Sequence, residues 1–139
     1  MNPLHKLTEL GQSVWLDDIR RNWLEDGTFE RMIREDALAG VTSNPAIIEK
    51  SISGGKEYEA AIRQLAGQGH GPATIAEILA LQDVQKAADL LLPLYRETNG
   101  RDGYVSLEVS PHLANDFGAT VAEARRLWKS FDRPNAMIK

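Results

Sequence analysis

Short apolar or β-branched runs alternate along the chain with stretches whose apolar residues recur at helical spacing. Four runs read as strands: residues 13–16, 40–43, 103–109 and 136–138. Three of them close on an ionisable group, at Asp17, Glu108 and Lys139. The run at 40–43 leads instead into the neutral polar pair Asn44-Pro45. A strand whose one charged side chain stands at its C-terminal end is unusual in a plain core and ordinary in an α/β barrel, where chemistry gathers at those ends.

The stretches between read as helices. Residues 3–10 place Leu4 and Leu7 on one face, with Gly11 to end the helix. Residues 19–24 follow, then 28–38 with Phe29, Met32, Ile33 and Ala37 at helical spacing. Asn44 is a good N-cap and Pro45 suits the first helical position, so a helix is expected over 46–52. Another spans 58–65, before the glycine-rich turn at 67–71. Thr74 with Glu77 has the form of a capping box and opens the longest stretch. There Leu81, Val84, Ala88, Leu91 and Tyr95 make a buried stripe, and Pro93 predicts a kink or break. Thr120 with Glu123 is a second capping-box pattern, followed by a stripe of Val121, Ala124, Trp128 and Phe131. Strands joined by helical crossovers make a parallel α/β sheet.

The length of 139 residues suits one domain. A complete (β/α)8 barrel needs about 250 residues, so four strands amount to half of one. A net charge of −4, with no long basic run, argues against a nucleic-acid partner. The absence of cysteine removes disulfide and thiolate chemistry and fits a reducing, cytoplasmic setting. No secretory signal is visible, and no apolar stretch approaches the roughly 20 residues that cross a bilayer. His5, His70 and His112 lie far apart without ligand spacing and read as surface residues rather than metal ligands. Trp15, Trp23 and Trp128 read as core or barrel-wall residues.

Each candidate residue has a plain reading beside a chemical one. Lys139 is either a strand end reaching solvent or an amine whose pKa is lowered by a pocket, ready to attack a carbonyl. Asp17 and Asp18 suit helix capping, yet Asp17 shares the side of Trp15 and is a candidate acid/base. Glu108 stands between Leu107 and Val109, where it is either salt-bridged or a proton carrier, with Ser106 on its face. Thr42, Ser43 and Asn44 are weak on their own, because capping accounts for Asn44.

Together the four strand motifs resemble those of transaldolases. Gln12-Ser13-Val14-Trp15-Leu16-Asp17 is similar to the first strand of that family, and Gly40-Val41-Thr42-Ser43-Asn44-Pro45 to the second. Gly103-Tyr104-Val105-Ser106-Leu107-Glu108-Val109 resembles the third, and Arg133-Pro134-Asn135-Ala136-Met137-Ile138-Lys139 the strand that ends on the Schiff-base lysine. The resemblance covers essentially the whole chain. It implies a (β/α)8 barrel of the class I aldolase type, of which residues 1–139 form the N-terminal half. It implies transfer of a dihydroxyacetone unit between sugar phosphates, without cofactor or metal. Lys139 would attack the C2 carbonyl, Asp17 would take the proton of the C4 hydroxyl, and Glu108 would move protons through a water. Asn44 would hold a hydroxyl of the dihydroxyacetone part, with Thr42 and Ser106 in support.

Family members continue through strands that carry phosphate-binding groups. The chain is therefore expected either to be the first part of a longer polypeptide or to stop where Lys139 is modified. A parent fused to a glucose-6-phosphate isomerase domain, an aldolase that cleaves without transfer, and a silent half barrel binding a partner through its open edges are the alternatives. A homo-oligomer is compatible with the resemblance.

Overall fold

Residues 2–139 are described by a computed structural model. The chain begins with α1 (Pro3–Glu9), β1 (Val14–Leu16), α2 (Arg21–Glu25), α3 (Thr28–Glu35) and β2 (Leu38–Thr42). It continues through α4 (Pro45–Gly54), a 3-10 turn (Lys56–Tyr58), α5 (Glu59–Gly67) and the long α6 (Pro72–Glu97). It closes with β3 (Tyr104–Leu107), a second 3-10 turn (Pro111–Leu113), α7 (Phe117–Phe131) and β4 (Ala136–Ile138).

The strands lie in the order β1-β2-β3-β4, and every pairing is parallel. A barrel needs this sequential order, whereas a doubly wound sheet reverses its order at a switch point. The architecture is the α/β arrangement of half a barrel. Among the described residues no helix is long and apolar enough to cross a membrane.

The pleat divides the strands into two faces. Val41, Val105, Leu107 and Ala136 are buried in the core with Val84, Ala87, Ala88 and Leu91 of α6, and with Leu127 and Phe131 of α7. The other face carries Trp15, Gly40, Thr42, Ser106 and Met137, with Trp15 38% and Met137 44% exposed. A Cβ on Gly40 would lie 2.4 Å from the Trp15 ring, so glycine is what lets the indole lie against β2. Gly103 has a φ of +85°, and a Cβ there would meet the Tyr95 backbone nitrogen at 2.5 Å. Glycine at 103 therefore satisfies both a left-handed turn and a close approach of the chain entering β3 to α6.

The structure corrects several local expectations. Leu38 and Ala39 belong to β2, and α3 stops at Glu35. Ala37 adopts a left-handed φ of 54°, which a continuing helix does not allow. Neither capping box forms: α6 starts at Pro72, and α7 is capped by Asp116, whose carboxylate accepts from the Ala119 amide. Thr120 instead donates its hydroxyl to the Leu113 carbonyl at 2.8 Å. Pro93 does not interrupt α6. The fully buried stripe of that helix offsets a lost backbone bond, whose interior cost is about 3 kcal/mol. Trp128 is 53% exposed, and Leu127 with Phe131 takes the core positions of α7.

Candidate active site

All six candidate residues lie at or just past the C-terminal ends of the strands. Lys139 continues the β3–β4 ladder: its amide donates to the Leu107 carbonyl, and its carbonyl accepts from the Val109 amide, both at 3.0 Å. That register sets Lys139 beside Glu108 and on the face of Met137. The Lys139 ammonium lies 3.3 Å from Glu108 Oε1 and donates to Thr42 Oγ1 at 2.7 Å. Ser106 donates to the same Thr42 oxygen at 2.9 Å.

Thr42 Oγ1 is thus the hub of a connected polar chain. It joins the second, third and fourth strands in one hydrogen-bonded row. Ser106 stands between the strands that carry Thr42 and Lys139, and its small side chain leaves room for the lysine to reach across β3. The Lys139 side chain remains 41% exposed and that of Glu108 30%, so incoming solute can reach the amine. An amine held by a hydroxyl and a carboxylate has both a proton path and a fixed direction of attack.

Asp17 and Asn44 stand apart from this row. Asp17 is exposed beyond β1, on the side of Trp15, and makes no hydrogen bond or ion pair among the described residues. Three strand spacings of about 4.8 Å along the sheet separate β1 from β4. Asp17 lines a cleft of about 940 Å³ with Asp18, Arg20, Asn22 and residues of α4, including Lys50. Asn44 is half-buried, and its Oδ1 accepts from the Ala46 amide at 3.0 Å. The cap is real, so its amide nitrogen is the part of Asn44 left for a ligand. A second, apolar cavity of about 720 Å³ lies behind the sheet, lined by Ile48, Ile52, Ala76, Leu107 and Leu127, and it meets the row only at Glu108.

One polar cluster escaped the sequence. Arg21 donates to Asp83 Oδ1 at 2.7 Å, and Tyr58 donates to Asp83 Oδ2 at 2.5 Å. The Arg21 guanidinium lies 4.5 Å from the centre of the Tyr58 ring. The one signal for it is that Asp83 continues the buried series Ile75 and Leu79 of α6 in steps of four. No group of three His, Cys, Asp or Glu side chains able to hold a metal converges among the described residues.

A parallel α/β half barrel with its polar side chains gathered past the strand ends defines the class: a segment of an α/β-barrel protein, a fold whose active sites gather at the C-terminal ends of the strands. The comparisons make this specific. The family model described as transaldolase/fructose-6-phosphate aldolase matches residues 14–139, and the chain belongs to that family. It is 45% identical over 139 residues to a transaldolase of Thiobacillus denitrificans, covering 100% of this chain and 39% of that protein. It is 46% identical over 138 residues to a transaldolase of Thermobifida fusca, covering 99% of this chain and 38% of the relative. A transaldolase of Trichodesmium erythraeum is 41% identical over 138 residues, with 36% of its length covered. The chain therefore spans less than two fifths of the length of these curated relatives.

Proposed function

We propose that this chain supplies the Schiff-base half of a transaldolase active site, with residues 1–139 as the N-terminal half of one barrel domain. The observation that carries the reading is the row in which Lys139 meets Thr42 at 2.7 Å and Glu108 at 3.3 Å. Family membership supports the reaction class, and the relatives' shared name supports transfer. The substrates are sugar phosphates: a ketose phosphate such as fructose 6-phosphate or sedoheptulose 7-phosphate as donor, and erythrose 4-phosphate or glyceraldehyde 3-phosphate as acceptor. The setting is cytoplasmic.

In this mechanism the neutral Lys139 amine adds to the C2 carbonyl, and loss of water gives an iminium. Glu108 exchanges the protons of that addition and dehydration through a water. The Asp17 carboxylate takes the C4 hydroxyl proton, and the C3–C4 bond breaks. Its electron pair flows into the iminium, and an aldose phosphate leaves. The enamine on Lys139 then attacks the acceptor aldehyde, and hydrolysis frees the new ketose. Thr42 and Ser106 aim the amine, and the Asn44 amide holds a dihydroxyacetone hydroxyl.

The family description favours one second reading, an aldolase that cleaves without transfer. The complete protein should be given fructose 6-phosphate with and without erythrose 4-phosphate. Transfer predicts sedoheptulose 7-phosphate only when the acceptor is present. Equal release of glyceraldehyde 3-phosphate in both mixtures selects the aldolase, and no product in either overturns both.

A further inference from the structure

Among the described residues the Asp17 carboxylate makes no hydrogen bond or ion pair, so its position depends on the backbone that carries it. It sits on the loop between β1 and α2, residues 17–20. That loop is tied down at its far end. Ile19 is buried in the core, and Arg21 opens α2 without a side-chain cap on the helix. The Arg21 guanidinium instead runs into the protein. It bonds Asp83 at 2.7 Å, Gln82 Oε1 at 3.2 Å and the Leu79 carbonyl at 3.4 Å, all on α6. Tyr58, fully buried, closes the other carboxylate oxygen of Asp83 at 2.5 Å. Asp83 thereby spends both oxygens on two chain segments far apart in sequence. Burial pushes the Asp83 carboxyl above the ordinary carboxylate range, and the bonds from Tyr58 and Arg21 act against that shift. Burial and the Asp83 contact also raise the Tyr58 hydroxyl, which keeps its proton and donates.

We propose that Arg21, Asp83 and Tyr58 are positioning residues that set Asp17 for carbon–carbon bond cleavage, a role that rests on the function proposed above. Two of the segments they join line the cleft into which Asp17 faces, the β1–α2 loop and the turn after α4, and α6 supplies the Asp83 carboxylate that ties those two together from behind Arg21 and Tyr58. Among the described residues Lys139 makes no hydrogen bond or ion pair with any of them. Its row runs through Thr42, Ser106 and Glu108. The clamp therefore acts on the cleavage step and not on imine formation. A buried ion pair costs much of what it gains in stability, so a role in holding geometry is its better use.

The test uses the complete protein and two readouts on each variant. One is the rate of borohydride trapping of the imine that Lys139 forms with free dihydroxyacetone, which needs no carbon–carbon cleavage. The other is turnover in the transfer assay. Tyr58→Phe removes one hydrogen bond and leaves the ion pair, so it folds. It should lower kcat by about threefold to tenfold with KM and the adduct rate unchanged, because small displacements of an acid/base group carry such costs. Asp83→Asn should lower kcat further, and Arg21→Lys should restore part of the loss relative to Arg21→Ala. Adduct rate and kcat falling together, in proportion to the folded fraction, would overturn the clamp in favour of plain stability. Unchanged kcat in Tyr58→Phe and Asp83→Asn would overturn it as well. A wild-type protein that forms no adduct on Lys139 would instead defeat the parent reading and the clamp's role with it.

Discussion

The two faces of the sheet share four strands and differ in almost everything else. On the covered face Val41, Val105 and Ala136 lock against α6, and the row is apolar throughout. On the open face the same strands offer Thr42, Ser106, Met137 and, past the strand end, Lys139. One residue along a strand moves a side chain from one regime to the other. The covered face supplies the stability that lets the open face hold polar groups in a row. The contrast is sharpest at the strand ends, where Leu107 is buried in the core and its neighbour Glu108 meets the lysine.

Substitutions on the two faces should separate activity from stability. Lys139→Met is expected to have the largest effect. It should remove turnover entirely with thermal unfolding little changed, because the side chain is 41% exposed. Glu108→Gln should come next, lowering imine formation by about a hundredfold or more, as measured by stopped-flow trapping, since a positioned acid/base group contributes about 10²–10⁴-fold. Leu91→Ala, on the fully buried stripe of α6, reverses the pattern. It should cost about 2–5 kcal/mol in denaturant unfolding, with turnover per folded molecule unchanged. Gly40→Ala drives a Cβ to within 2.4 Å of Trp15, and calorimetry should show a loss of about 1–3 kcal/mol as the indole is displaced.

The smallest effect lies away from both faces. The Thr28 hydroxyl and amide at the start of α3 hold the Asp26 carboxyl below the usual aspartate range. A lowered folded pKa means that the contribution is present above the unfolded value and lost as pH falls through the folded one. NMR titration of Asp26 should give a midpoint below that of a free aspartate, and Asp26→Asn should remove that step.

Much of this was legible in the chain. Each strand run marks a real strand, because apolar β-branched residues closed by a polar group can be read locally. Asn44-Pro45 was read correctly as a cap, since both partners lie within three residues. Capping boxes at Thr74 and Thr120 misled, because Pro72 and Asp116 start those helices earlier and outrank a Ser/Thr-x-x-Glu pattern. Trp128 misled for a similar reason: a helical stripe fixes a face only to within one residue, and Leu127 won the core. The row at Lys139 needed the register of three strands. The Arg21–Asp83–Tyr58 cluster joins residues 62 and 25 positions apart, which no local pattern conveys.

The most direct test is to mix the complete protein with fructose 6-phosphate, reduce it with borohydride, and map the adduct by peptide mass spectrometry. A reduced dihydroxyacetone adduct on Lys139, lost in Lys139→Met, is the expected result. An adduct on another lysine, or none, would contradict Lys139 as the amine at the centre of this site.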